Sequence, residues 1–273
     1  MTFVHIVERA ALLAILAAAS THHALAQGDG VRLSLADAPR LAGRAYGVQF
    51  AQVAVLESDG ERREIGREAR AVVRLSAAPT SGAARRVSLT IDSLRASITT
   101  PHNRQIVDAR RHRGKSFTAA YTGAGGPAVF DSAAPALDYT SVGGELPLAA
   151  VLAHLFPPMP DRVVRVGESW ERAWTRTSID GNTLGERPVT TRVTLRGIDG
   201  RGDARVARLE ILTRGAPANG AGAVEARGTA LVEVATGALR ELSIEETVTG
   251  TYRFGAGLPY AQTTTIRIAG AGR

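Results

Sequence analysis

Three histidines lie beyond residue 26: His102, His112 and His154. The first two belong to the run His102-Asn-Arg-Gln-Ile-Val-Asp108-Ala-Arg-Arg-His112-Arg-Gly-Lys115. On a helix Asp108 and His112 would share a face, and His102 folding back would complete a three-ligand metal set. Zinc ligand pairs are spaced more tightly than this, and the neighbouring arginines repel a cation. The run therefore reads as a solvated connection between strands, with no metal site. Gly167-Glu168-Ser169-Trp170-Glu171 begins like a nucleophile elbow, but Glu171 stands where the closing glycine is needed. Gly123-Ala124-Gly125-Gly126 lacks the Gly-Lys-Ser/Thr of a phosphate loop. Glu225, Glu233, Glu241 and Glu245 are the carboxylates a hydrolase would pair, yet they alternate with apolar residues, which turns most of them to solvent. Arg201-Gly202-Asp203 spells an adhesion tripeptide and sits where a hairpin turn is expected. No cofactor motif is present. What is left is apolar: Trp170 and Trp174 point to one side of a strand, with Phe156 a short way upstream. These three either line a ligand site or fill the core.

The elements that must carry these residues are strands. Val189, Thr191, Val193 and Leu195 alternate with Thr190, Arg192, Thr194 and Arg196. Leu242, Ile244 and Val248 do so against Glu241, Ser243 and Glu245, and Ala207, Leu209 and Ile211 against Arg208 and Glu210. Period two means a strand with one buried face. From Val87, Leu89 and Ile91 the apolar set shifts to Leu94, Ala96 and Ile98, so a β-bulge is predicted near Asp92-Ser93. Asp59-Gly60, Asp180-Gly181-Asn182, Asp199-Gly200-Arg201-Gly202-Asp203 and Thr236-Gly237 supply tight turns. One segment breaks the pattern: Leu146 to Phe156 reads as a short helix, with Pro147 in its first turn and Pro157-Pro158 as its stop. The expected fold is all-β and mainly antiparallel, a long-stranded meander forming a barrel or curved half-barrel with this one central helix. Residues 27–273 form a single β-rich domain, which divides into two β halves, 30–140 and 160–270, joined by the helix at 146–156.

The segment Phe156-Pro157-Pro-Met-Pro160…Val164-Arg-Val166-Gly167-Glu168-Ser169-Trp170 resembles a group of uncharacterised exported bacterial proteins. They share a helix, a Phe/Leu-Pro-x-x-Pro turn and a Val-x-Val-Gly-Asp/Glu-Ser-Trp strand start that leads into a β meander. The resemblance covers residues 145–198 and brings no activity and no catalytic residue with it. In architecture alone the chain is similar to periplasmic lipoprotein carriers, half-barrels closed by helices, and fold does not fix function.

Residues 1–26 read as a cleavable signal peptide. Arg9 precedes the unbroken apolar run Ala10–Ala19, and Ala24 and Ala26 suit signal peptidase, which places the cut before Gln27. The apolar run is too short to span a bilayer, and no later segment is apolar enough. The chain has no cysteine, so neither disulfides nor a lipoprotein-type lipid attachment are expected. The formal charge is +7, almost all of it from arginine, with Lys115 the lone lysine. The arginines are scattered along the sequence and aromatics make up only 5%. Nucleic acid is therefore not an expected partner. The expectation is an exported protein, periplasmic or secreted, that binds a lipid or other apolar or amphiphilic ligand in its concavity, or acts as a cell-envelope interaction module. Such a ligand needs a cavity of about 300 Å³ or more. The alternative is a hydrolase using carboxylates or a metal. An outer-membrane barrel would need aromatic girdles that this composition does not supply.

Overall fold

The structure, a computed structural model, describes residues 30–58, 60–79, 84–124, 128–131, 133–138, 145–180, 183–216, 222–252 and 258–271. The signal segment and Gly181-Asn182 of the predicted turn lie outside them. In the first half of the chain the elements are β1 (Val31–Leu33), α1 (Ala38–Leu41), β2 (Ala45–Ser58), β3 (Glu61–Ala77), β4 (Arg85–Thr99), β5 (Arg104–Val107), β6 (Ser116–Tyr121), β7 (Val129–Phe130) and β8 (Ala136–Asp138). Then come β9 (Glu145–Pro147), α2 (Leu148–Leu152), β10 (Arg162–Val164), β11 (Ser169–Asp180), β12 (Thr183–Asp199), β13 (Val206–Gly215), β14 (Gly222–Glu233), β15 (Leu239–Tyr252) and β16 (Leu258–Gly270).

Among the described residues, twelve strands form one antiparallel sheet. Its order is β11-β12-β13-β14-β15-β16-β2-β3-β4-β6-β7, with β5 also on β4. It is a meander in two runs, and the runs meet where β16 pairs with β2. The sheet does not close: β11 and β7 are its two edges, so the architecture is a curved half-barrel. β3 and β12 each run 17 residues, about 55 Å. The predicted phase slip is a bulge in β4, where the register jumps at Asp92 between the pairs Val72–Ser93 and Val73–Ile91. The hairpin glycines Gly60, Gly200 and Gly237 all have positive φ. Arg201-Gly202-Asp203 lies in the β12–β13 turn, where a short 3-10 turn covers Gly202–Ala204.

The predicted helix is shorter than its sequence signals. Leu146 and Pro147 belong to β9, which pairs with β8, so the α-helix starts at Leu148. It tightens into a 3-10 turn at Ala153–Leu155 before the prolines end it. A second helical turn, α1, follows Asp37 with Pro39 in its first turn.

Alternation decides what the sheet buries. The inner face of every long strand carries the apolar set, and the segment from α2 through Met159 fills the hollow above it. Leu148, Val151, Leu152, Leu155, Phe156 and Met159 join Val48, Leu75, Leu89, Leu195 and Leu209 in one core. Each such side chain contributes roughly 1.5–3 kcal/mol on full burial. We call the segment 148–160 the plug.

Candidate functional site

The plug is fastened to the sheet by the segment that carries the family resemblance. Gly167 turns the chain with φ of 89°, and its N–H donates to Leu195 O at 2.7 Å. Glu168 accepts the Arg165 N–H at 3.1 Å and pairs with the Arg162 guanidinium. Those bonds hold its carboxyl below the ordinary range, Arg162 first and the Arg165 N–H second. Ser169 Oγ meets Thr194 Oγ1 at 2.8 Å, which leaves the serine in a strand pair rather than on a strained elbow. Trp170 is buried and its Nε1 donates to Pro158 O at 3.1 Å. Each residue from Gly167 to Trp170 thus has a fastening task.

Trp170 and Trp174 both face inward, opposite Val193 and Val189 on β12. Their surroundings differ. Trp170 lies in the core with Phe156, and Phe156 stacks on Tyr121 at 4.7 Å between ring centroids. Trp174 is half-buried and donates to Thr191 Oγ1 at 2.9 Å. Trp174, His154, Phe156, Pro157 and Pro158 line a seam between the plug and the inner faces of β12 to β15. Thr191, Thr213, Ala226 and Ile244 form its floor. The free volume of the seam is about 20 Å³, so it is shut against anything larger than a water. The sequence expectation of a ligand-sized concavity fails at this point, because the plug occupies it. Trp174 and Phe156 line the seam; Trp170 is not among the residues that line it.

Below the plug the inner face changes character. Thr191, Thr213, Ala226, Glu246, Thr264, Gln52 and Arg67 are successive cross-strand partners from β12 to β3. They make one buried, mostly polar row across seven strands. Arg67 Nη1 donates to Gln52 Oε1 at 2.7 Å, and Gln52 Nε2 donates to Thr264 Oγ1 at 3.4 Å. Thr191 and Thr213 share a hydroxyl bond of 2.9 Å. Arg187, 1% exposed, donates to Glu246 Oε1 at 3.0 Å. Beyond the row lies a second, smaller apolar cluster of Val224, Val248 and Tyr260 with Leu56. Sequence reading missed the row, although parity marks it. Glu246 falls in phase with Ile244 and Val248, and Thr191 with Val189 and Val193.

Of the groups considered for catalysis, Glu225 and Glu245 line one open hollow on the outer face with Glu210 and Arg227, and the others are dispersed. Among the described residues no three His, Asp or Glu side chains are placed to hold a metal ion. His102 is exposed at the β4–β5 turn, Asp108 is exposed against Arg110, and His112 is buried in the 3-10 turn Arg110–His112. Glu241 and Glu245 are exposed on the outer face, and Glu225 bonds Arg227. Glu233 accepts both Arg44 nitrogens at 3.0 and 2.7 Å and the Thr236 hydroxyl at 2.6 Å. The Arg44 bond holds its carboxyl down at about 2, against the opposing effect of burial.

No family model matches the chain, and no curated protein matches it. Similar solved structures include lipovitellin, described for its lipid–protein interactions, at 9% identity and a TM-score of 0.49. The match covers 85% of this chain and 25% of that one, so the chain spans about a quarter of lipovitellin. The hypothetical lipoprotein YmcC from Escherichia coli is similar over 80% of this chain and 83% of its own, at 13% identity and a TM-score of 0.28. A Bacteroides fragilis protein with a YmcC-like fold is similar over 86% and 97% of the two chains, at 5% identity and a TM-score of 0.22. At such identities and TM-scores no ligand or activity passes from these proteins to this chain.

Proposed function

We propose that this is an exported, non-enzymatic protein that takes the apolar part of an amphiphile between its plug and its sheet. The observation that supports the reading is the seam. Its walls are aromatic, aliphatic and proline side chains, and its floor ends on the hydroxyls of Thr191 and Thr213. An acyl chain meets apolar surface there, and a head group meets donors and acceptors. Ligand pockets combine these two features. At about 20 Å³ the seam is closed, so entry requires the plug to lift from the sheet. Of the side-chain hydrogen bonds described here, the Trp170–Pro158 bond is the one that ties the Pro157–Pro158 arm to β11.

The chain holds only two tryptophans, Trp170 and Trp174, and both lie beside the plug. Intrinsic fluorescence therefore reports the seam directly. Titrating residues 27–273 with palmitate or lysophosphatidylcholine is expected to give a saturable change in emission. Trp174→Phe should remove most of that change, and Phe156→Ala should weaken the binding. A flat titration, together with a ligand-free mass for protein purified from its own envelope, rejects the reading.

The second reading, a cell-envelope interaction module, is favoured by the β11 edge. This strand is 12 residues long and among the described residues pairs on one side only, with β12. Such an edge accepts an added strand. For the metal form of the hydrolase alternative, no three His, Asp or Glu side chains among the described residues are placed to hold an ion.

A further inference from the structure

The seam leaves one sequence feature unused, the cationic run from Arg104 to Lys115. It holds five cations against one carboxylate, so it alone carries +4 of the chain's +7. The run is built into the sheet. Arg104 and Ile106 on β5 stand opposite Thr99 and Ser97 of β4. On the other side of β4, Ser97 stands opposite Glu68, and Arg95 opposite Arg70. All of these side chains share the outer face. The turn that follows is also ordered: Gly114 N–H donates to Ile91 O at 2.8 Å, and Ile91 N–H to Lys115 O at 3.0 Å. Arginines scattered along the sequence are thereby gathered at one place on the surface.

Three features of this place are unfavourable for folding alone. Arg70 and Arg95 are directly opposite, an arrangement in which like charges repel. Among the described residues neither has a carboxylate partner, and the same is true of Arg113 and Lys115. Ile106 is 87% exposed in the middle of the cations. Beside it opens a hollow of about 730 Å³ rimmed by Arg70, Arg95, Arg104 and Arg110, behind which Ala69, Leu94, Ala96 and Ala109 are buried in the core.

We infer that this outer face docks on an anionic phospholipid surface. Cations bind the phosphates, and Ile106 enters the interfacial layer. Charge complementarity selects an anionic partner. The exposed isoleucine selects a lipid surface over a nucleic acid, and the run contains no Phe, Tyr or Trp on which a base could stack. Each cation held near an anionic leaflet adds to binding, and salt screens the effect.

The test is sedimentation of residues 27–273 with vesicles of phosphatidylglycerol and phosphatidylcholine, beside vesicles of phosphatidylcholine alone. Binding is expected to the anionic vesicles only, and to fall steeply with added salt. The triple variant Arg110→Gln, Arg111→Gln, Arg113→Gln should lower partitioning by on the order of tenfold or more. Ile106→Ser should weaken binding while keeping its salt dependence. A control pair on the far side of the sheet, Arg192→Gln with Arg214→Gln, should leave binding nearly unchanged, and circular dichroism checks that every variant is folded. The proposal falls if the control pair lowers binding as much per charge removed as the triple variant does, since that is a net-charge effect. It also falls if the anionic vesicles are not bound, or if duplex DNA binds and the vesicles do not.

Discussion

At the scale of single residues, two carboxylates do opposite kinds of work. Glu233 sits at the end of β14 and collects Arg44, Thr236 and Arg240, joining the chain just after α1 to the β14–β15 turn. Its pKa in the folded protein is about 2, below the ordinary carboxylate value near 4.5. The unfolded chain therefore binds this proton more readily than the folded one. The stabilisation is complete above the ordinary value and is lost as the pH falls through the window from about 4.5 to about 2. Glu233→Gln should cost about 1–2 kcal/mol at neutral pH, allowing for the pair's partial exposure. The gap in thermal midpoint between this variant and the parent should narrow as the pH drops through that window. Glu246 differs because its partner, Arg187, is buried. Glu246→Gln removes the carboxylate that faces this buried guanidinium and should cost about 3–5 kcal/mol in urea unfolding. The double variant Arg187→Met, Glu246→Leu should recover most of the loss. If the single and double variants lose the same stability, the pair is not coupled.

At the scale of elements, the plug and its fastening deserve separate measurement. Trp170→Phe keeps most of the buried ring and deletes the bond to Pro158 O, a loss of about 1 kcal/mol. Hydrogen exchange should rise across 148–160 more than in β12 or β13. Uniform acceleration would mean that the plug does not open separately. The elements were largely legible in the sequence, because period-two alternation marks strands and Gly-centred turns mark their ends. The bulge was legible as well, since a phase slip leaves a visible break in the alternation at Asp92. The helix start was not, because the Leu146-Pro147 pair fits a helical first turn and a β9 strand equally well. The polar row was half legible. Parity turns Glu246, Thr191 and Gln52 inward, but only cross-strand register aligns them, and register is fixed by pairing between distant segments. The closed seam was invisible to sequence reading, since no local pattern shows what volume a helix will fill.

At the scale of the whole molecule, the sequence suggested two β halves around a central helix. The pairing of β16 with β2 places both runs of strands in one sheet, and one apolar core takes residues from both. Unfolding of residues 27–273 should be a single calorimetric transition, with calorimetric and van't Hoff enthalpies in agreement. Two resolved transitions would mean that the two β halves unfold as separate units.

The junction of β16 with β2 also sets the order in which the protein can acquire its shape. Gln52 and Thr264 touch across it although 212 residues separate them along the chain. Hairpins such as β2–β3 or β14–β15 need only local loop closure, whereas this join must wait for the ends of a very long loop to meet. The polypeptide should therefore spend its early life as two ribbons whose long facing edges, β2 with its three valines and β16 with its three threonines, stay unsatisfied. A chain built this way resists premature completion, and it is most vulnerable to self-association in the interval before its middle is joined.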